Sequence, residues 1–162
     1  MPTSTEQSSP AATAKVFSPL QLREYSLELL LVEANANFVG GAANSYENQL
    51  NVDFDFKRDH GTKNFQVILD VDVNPAKEMF EKATYRIKIK LRTNLEFEGD
   101  YPEEQIPNLL GPNGLAMAYS IARGIVGQAT GTSLHGKFIL PTVNFIEVLK
   151  AKALQKEVSK SA

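Results

Sequence analysis

The chain has 162 residues, no cysteine and a formal net charge of −2 at pH 7. That length suits one domain, the near-neutral charge argues against a phosphate-seeking surface and so against nucleic acid, and the missing thiols remove disulfides, thiolate nucleophiles and Cys-based metal sites together. Purely apolar runs such as Leu29 to Val32 fall far short of the ~20 residues that cross a bilayer, so no membrane insertion is expected.

Residues 1–16 are rich in Ser, Thr, Pro and Ala, with no basic end leading into an apolar segment. They read as a disordered tail and not as a signal peptide, which points to a cytoplasmic protein. A single α+β domain is expected over 17–155, and the Lys-rich end, 156–162, is expected to fray.

The first strand-like stretch places Leu20 and Leu22 on even positions and Tyr25, Leu27, Leu29 and Leu31 on odd ones. A bulge near Arg23 and Glu24 reconciles the two halves. Leu30 and Val32 then fall on the opposite face and need a cover, either the connection that follows or another subunit. That connection, Glu33 to Asn48, sets Asn35, Asn37, Gly40, Gly41 and Asn44 around Phe38 and Tyr46 and reads as a long crossover loop.

Three further stretches alternate strictly: Leu50, Val52, Phe54, Phe56; then Phe65, Val67, Leu69, Val71, Val73; then Tyr85, Ile87, Ile89, Leu91. Side chains two apart share a strand face, so each stretch buries one side and wets the other. The wet side carries Asp53 and Asp55, Asp70 and Asp72, and then Arg86, Lys88, Lys90 and Arg92. A turn centred near His60 sets Phe54 opposite Val67 and Val52 opposite Leu69. The next connection, through Pro75, sets Asp72 opposite Arg86 and Asp70 opposite Lys88. The expected result is a four-stranded antiparallel sheet followed by two helices.

Pro102 and Pro107 end the sheet, and Gly111 to Gly114 lead into a helix over Leu115 to Ala129 whose Leu115, Ala118, Tyr119, Ala122, Ile125, Val126 and Ala129 share a face. Its other flank, Ala116, Ser120, Gly124 and Gly127, is small, although an interior Gly costs a helix about 1 kcal/mol relative to Ala. Close approach by a second copy of the helix would compensate, so Ser120, Gly124 and Gly127 join Leu30 and Val32 as oligomer-interface candidates. Before the last helix, Asn144 with Glu147 has capping-box spacing. Ile146, Leu149 and Ala153 form a stripe beside Phe145 and Val148, while Lys150, Lys152 and Lys156 keep the other side wet.

No catalytic or metal constellation accompanies these elements. His60 and His135 lack clustered ligands. Gly127 to Ser133 lacks the lysine and the preceding strand of a phosphate loop. Asp100, Glu103 and Glu104 have no nearby base. The expectation is therefore no enzyme, no cofactor and no metal.

Element order, together with Pro112-Asn113, Tyr119 and Leu140-Pro141-Thr142-Val143-Asn144-Phe145, resembles the SecB preprotein export chaperone family and its Leu-x-Pro-Val-Asn-Phe signature, with the proline moved one place. The resemblance implies a SecB-like fold and a homotetramer, a dimer of dimers, holding unfolded chains or preproteins without ATP. It implies client binding at Phe38, Tyr46, Phe138, Phe145, Val148 and Leu149, although Phe138, Phe145 and Leu149 read equally well as core. It also implies partner docking at Asp53, Asp55, Asp70 and Asp72, which would correspond to the acidic sheet surface that meets the SecA motor in that family. Two features depart from the family: Ser120, Ile121 and Ala122 follow Tyr119 where the family carries Ala-Arg-Glu, and the chain ends in lysines instead of an acidic tail. A dedicated chaperone of one client, such as an antitoxin, and a scaffolding module binding a folded partner are the alternatives.

Overall fold

The computed structural model describes residues 16–40 and 47–161. Four strands, β1 (Leu20–Ala34), β2 (Leu50–Arg58), β3 (Asn64–Val73) and β4 (Tyr85–Phe97), form one antiparallel sheet in the order β1-β4-β3-β2. A single-turn helix α1 (Lys77–Phe80) lies in the β3–β4 connection. After the sheet come a second short helix α2 (Ile106–Leu109), a π-helical turn (Leu110–Gly114), and two long helices, α3 (Leu115–Thr130) and α4 (Phe145–Lys160). This is the expected α+β arrangement. No helix among the described residues is long and apolar enough to cross a membrane.

Period-two alternation places Val67, Leu69, Val71 and Val73 of β3 and Tyr85, Ile87, Ile89 and Leu91 of β4 on one buried face. The register differs from expectation by two residues at each hairpin. Phe54 faces Leu69 and Val52 faces Val71, while Asp70 faces Lys90 and Asp72 faces Lys88. A shift of two preserves every side chain's face, whereas a shift of one would invert the sheet.

Strand β1 contains two bulges, at Arg23 as expected and again at Glu28. Each inserts one residue and so resets the alternation. The inward lane becomes Leu20, Leu22, Tyr25, Leu27, Leu30, Val32 and Ala34, facing Phe97, Leu95, Thr93, Leu91, Ile89, Ile87 and Tyr85. Leu30 and Val32 therefore pack on their own core, and it is Leu29 and Leu31 that lie on the charged face, opposite Lys90 and Lys88. Both bulge residues use their displaced charge across the strand: Arg23 bonds Glu96 at 2.6 Å and Glu98 at 2.7 Å, and Glu28 bonds Arg92 at 2.6 Å.

Helix α3 covers the inward face with Leu115, Ala118, Tyr119, Ala122 and Val126. The π-helical turn before it is wedged between the sheet and α4. A Cβ on Gly114 would stand 3.1 Å from Leu95 Cδ1, and one on Gly111 would stand 3.2 Å from Leu149 Cδ1. Glycine at both positions lets three layers meet. Asn144 caps α4 by accepting from the amides of Ile146 (3.2 Å) and Glu147 (3.4 Å), while the Glu147 carboxylate pairs with Lys150 at 3.1 Å. The helix runs to Lys160, so most of the 156–162 segment expected to fray is helical.

Candidate functional site

Two buried asparagines hold the ends of the β1–β2 connection. Asn35 donates to the carbonyls of Phe80 (3.1 Å), Glu81 (3.3 Å) and Ala83 (3.0 Å), and its own amide donates to Thr84 O at 2.8 Å. Asn74, in the left-handed region at φ 51, accepts from the Gln49 amide at 2.9 Å and donates to Asn48 Oδ1 at 2.8 Å and Tyr85 O at 2.9 Å. Buried polar atoms need partners, and these make several each. His135 completes the anchor by donating from Nε2 to Asn35 O at 2.7 Å.

Beside the free edge of β2 runs a groove lined on one side by Leu50, Val52 and Phe54 and on the other by Val143, Val148, Ala151, Lys152 and Gln155. Leu50, Val52, Val143 and Val148 are all half-buried. The far wall is set by Tyr119. Its hydroxyl donates to Pro141 O at 2.7 Å, and its ring meets Phe145 edge-on at 5.4 Å. Burial pushes this phenol up to about 12, so it stays a proton donor. Through these contacts α3 fixes the extended segment that carries Val143 into α4.

Lys152 bridges the groove. Its ammonium bonds Asp53 Oδ1 at 2.6 Å and the Phe54 carbonyl, and stands 4.4 Å from the Phe54 ring centroid. The Lys152 bond, helped by the Phe54 amide and opposed by burial, holds the Asp53 carboxyl below the ordinary carboxylate range.

The expected client-binding residues divide among different surroundings. Phe145 is buried against Tyr119 and belongs to the core. Leu149 packs over Gly111, and among the five candidates within the described residues only Val148 lines the groove. Phe38 meets the His135 ring edge-on at 5.6 Å and Phe138 meets Tyr85 at 6.0 Å, so both gather at the loop anchor. Tyr46 lies outside the described residues. Leu50, Val52 and Val143 were not singled out from the sequence as groove residues. Their apolar type at the end of an edge strand and before a capped helix was the available signal.

Of the docking candidates, Asp70 pairs with Lys88 at 3.9 Å and Lys90 at 3.8 Å, and Asp72 pairs with Lys88 at 3.4 Å. Asp55 accepts from the Phe56 amide at 2.9 Å. The acidic strands are thus largely matched from within. Among the interface candidates, Ser120 and Gly124 are exposed, and a Cβ on Gly124 would meet open space. Gly127 differs, because a Cβ there would stand 3.1 Å from Lys137 Cε, so its close neighbour lies in the same chain. No group of three or more His, Cys, Asp or Glu side chains is placed to hold a metal among the described residues.

The fold superposes on a SecB-like chaperone of Mycobacterium tuberculosis, solved in complex with a ChAD peptide from the HigA1 antitoxin. The superposition has a TM-score of 0.57 and 13% identity over 77% of this chain and 91% of that one. The fold is SecB-like. A protein of unknown function from Streptococcus agalactiae superposes with a TM-score of 0.42 and 13% identity, over 76% of this chain and 97% of that one. No family model and no curated protein matches the sequence.

Proposed function

We propose that this protein is a holdase that binds non-native polypeptide without ATP, laying extended apolar segments in the groove between β2 and α4. The observation that carries the reading is that groove, with Leu50, Val52, Val143 and Val148 left half-buried on a SecB-like fold. Moving apolar client side chains out of water onto such a surface supplies the driving force. The test is aggregation of an unrelated, chemically denatured enzyme diluted into the purified protein. The wild type should slow aggregation, and Val148→Asp should raise the concentration needed by about tenfold, since a carboxylate there resists desolvation. No suppression at molar excess by the wild type removes the proposal.

A dedicated client is favoured by one observation: the structural neighbour was solved with a peptide of an antitoxin. A single peptide sequence recovered with the protein from cells would support a dedicated role, and a broad mixture including preproteins would support general holding or export. Docking on SecA forms no part of the proposal, because Asp70 and Asp72 are engaged by Lys88 and Lys90.

We also propose a cytoplasmic homo-oligomer, a dimer of dimers. Along β1 the inward Leu22, Tyr25 and Leu27 and the outward Leu29 and Leu31 are exposed beside an edge that no other strand among the described residues pairs. Long apolar edges invite strand pairing, and a second copy would satisfy this one. Ser120 and Gly124 offer α3 a flat flank for the same assembly.

A further inference from the structure

In a strand the amide and carbonyl of one residue point to the same side, and successive residues alternate. On β2 the odd positions turn toward β3: the Gln49 carbonyl accepts from Asn74, and the Asp59 amide donates to Asn64. Val52, Phe54 and Phe56 therefore turn their main chain outward, along the edge that borders the groove. A polypeptide adding to this edge would need those groups, and its alternate side chains would drop between β2 and α4.

Three of these outward groups are already engaged by side chains. Asp53 accepts from the Phe54 amide at 2.9 Å, Asp55 accepts from the Phe56 amide at 2.9 Å, and Lys152 donates to the Phe54 carbonyl. Asp53 in turn holds Lys152 at 2.6 Å, and the pair also borders a second, charged cleft lined by Lys57, Asp70 and Lys90. The Lys152 side chain is only 24% exposed, whereas its Asp53 partner is 77% exposed. Every one of these contacts can rotate away without disturbing the β2–β3 ladder, because none uses an inward group.

We propose that Asp53, Asp55 and Lys152 form a displaceable cap on the β2 edge, an autoinhibitory contact in which Lys152 is the gate that an extended polypeptide must lift before its backbone can pair with Phe54 and Phe56. This rests on the reading of the groove as a polypeptide site. It adds that occupancy is limited by competition between the chain's own side chains and the client backbone. It also assigns Lys152 to the control of access and not to the binding surface.

The experiment measures affinity of the full chain for reduced, carboxymethylated α-lactalbumin, a permanently unfolded probe, together with amide hydrogen exchange at Phe54 and Phe56. Lys152→Met should bind the probe about fivefold more tightly than wild type, the scale of one partly exposed ion pair. Asp53→Asn, at an exposed position that keeps the fold, should shift affinity the same way, and Lys152→Arg should restore wild-type behaviour. Bound probe should slow exchange at both amides. If the wild type binds but Lys152→Met and Asp53→Asn bind no more tightly, the cap is overturned and the groove reading stands. If neither the wild type nor any variant binds, both fall.

Discussion

Tyr119→Phe removes one hydroxyl and leaves the ring packed on Phe145, which isolates the bond that fixes the far wall of the groove. The lost contact is a 2.7 Å bond to Pro141 O. A neutral hydrogen bond contributes about 0.5–1.5 kcal/mol net. Because Pro141 is exposed, water can take the donor's place, so the cost should sit near about 1 kcal/mol or below. For a chain of this size that lowers the melting temperature by about 2–4 °C. The phenol adds a pH signature. Its pKa rises from 10.0 to about 12 on folding, so its contribution is full below pH 10 and is lost as the pH climbs through 12. Urea denaturation followed by circular dichroism should show the wild type ahead at pH 8 and its lead shrinking between pH 10 and 12. A gap that is absent at pH 8, or constant across that window, refutes the assignment.

Asn35→Ala strips the Phe80, Glu81 and Ala83 carbonyls of their donor and should cost about 1–3 kcal/mol. Limited proteolysis within 36–48 should quicken, and an unchanged cleavage rate would remove the anchoring role. The Asp53 carboxyl, held low first by its bond to Lys152, contributes fully above the unfolded aspartate range near about pH 4 and loses that contribution as the pH falls through its lower folded value. Carbon-detected titration should find its midpoint below the ordinary value in wild type and closer to it in Lys152→Met; identical midpoints would deny the bond. Gly124→Leu should leave the folded subunit intact, since a side chain there enters open space, yet shift the proposed oligomer to smaller species in light scattering. An unchanged particle size would take Gly124 out of the interface.

Most of the sheet was legible because burial of one face forces period two, and β2, β3 and β4 follow it, with apolar Ile68 on the outward face and polar Thr93 on the buried one as departures. What escaped was set by longer-range geometry. The hairpin register slipped by two because a polar turn does not state its own length, while the face pattern tolerates any even shift. Only one bulge of β1 was foreseen. The run Leu29 to Val32 fits either phase, and the choice is made by Glu28 reaching Arg92. At the site, Val148 was readable as an apolar residue beside a capped helix start, but Phe145 looked equally like a groove residue until Tyr119 came to lie against it. Lys152 looked like any lysine on a wet helix face, because its partners on β2 are 98 and 99 positions away. Asn35 and Asn74 carried the turn chemistry of loops, and only tertiary packing reveals them as buried donors.

Those two asparagines also bear on how this protein could change over evolutionary time. With position 35 locked on one side and 48–49 on the other, a lengthening between them would leave both sets of anchoring bonds in place. Doubling a flexible insert adds only about 0.6 kcal/mol of closure entropy. A lineage could therefore lengthen that connection at little cost to the folding of the scaffold.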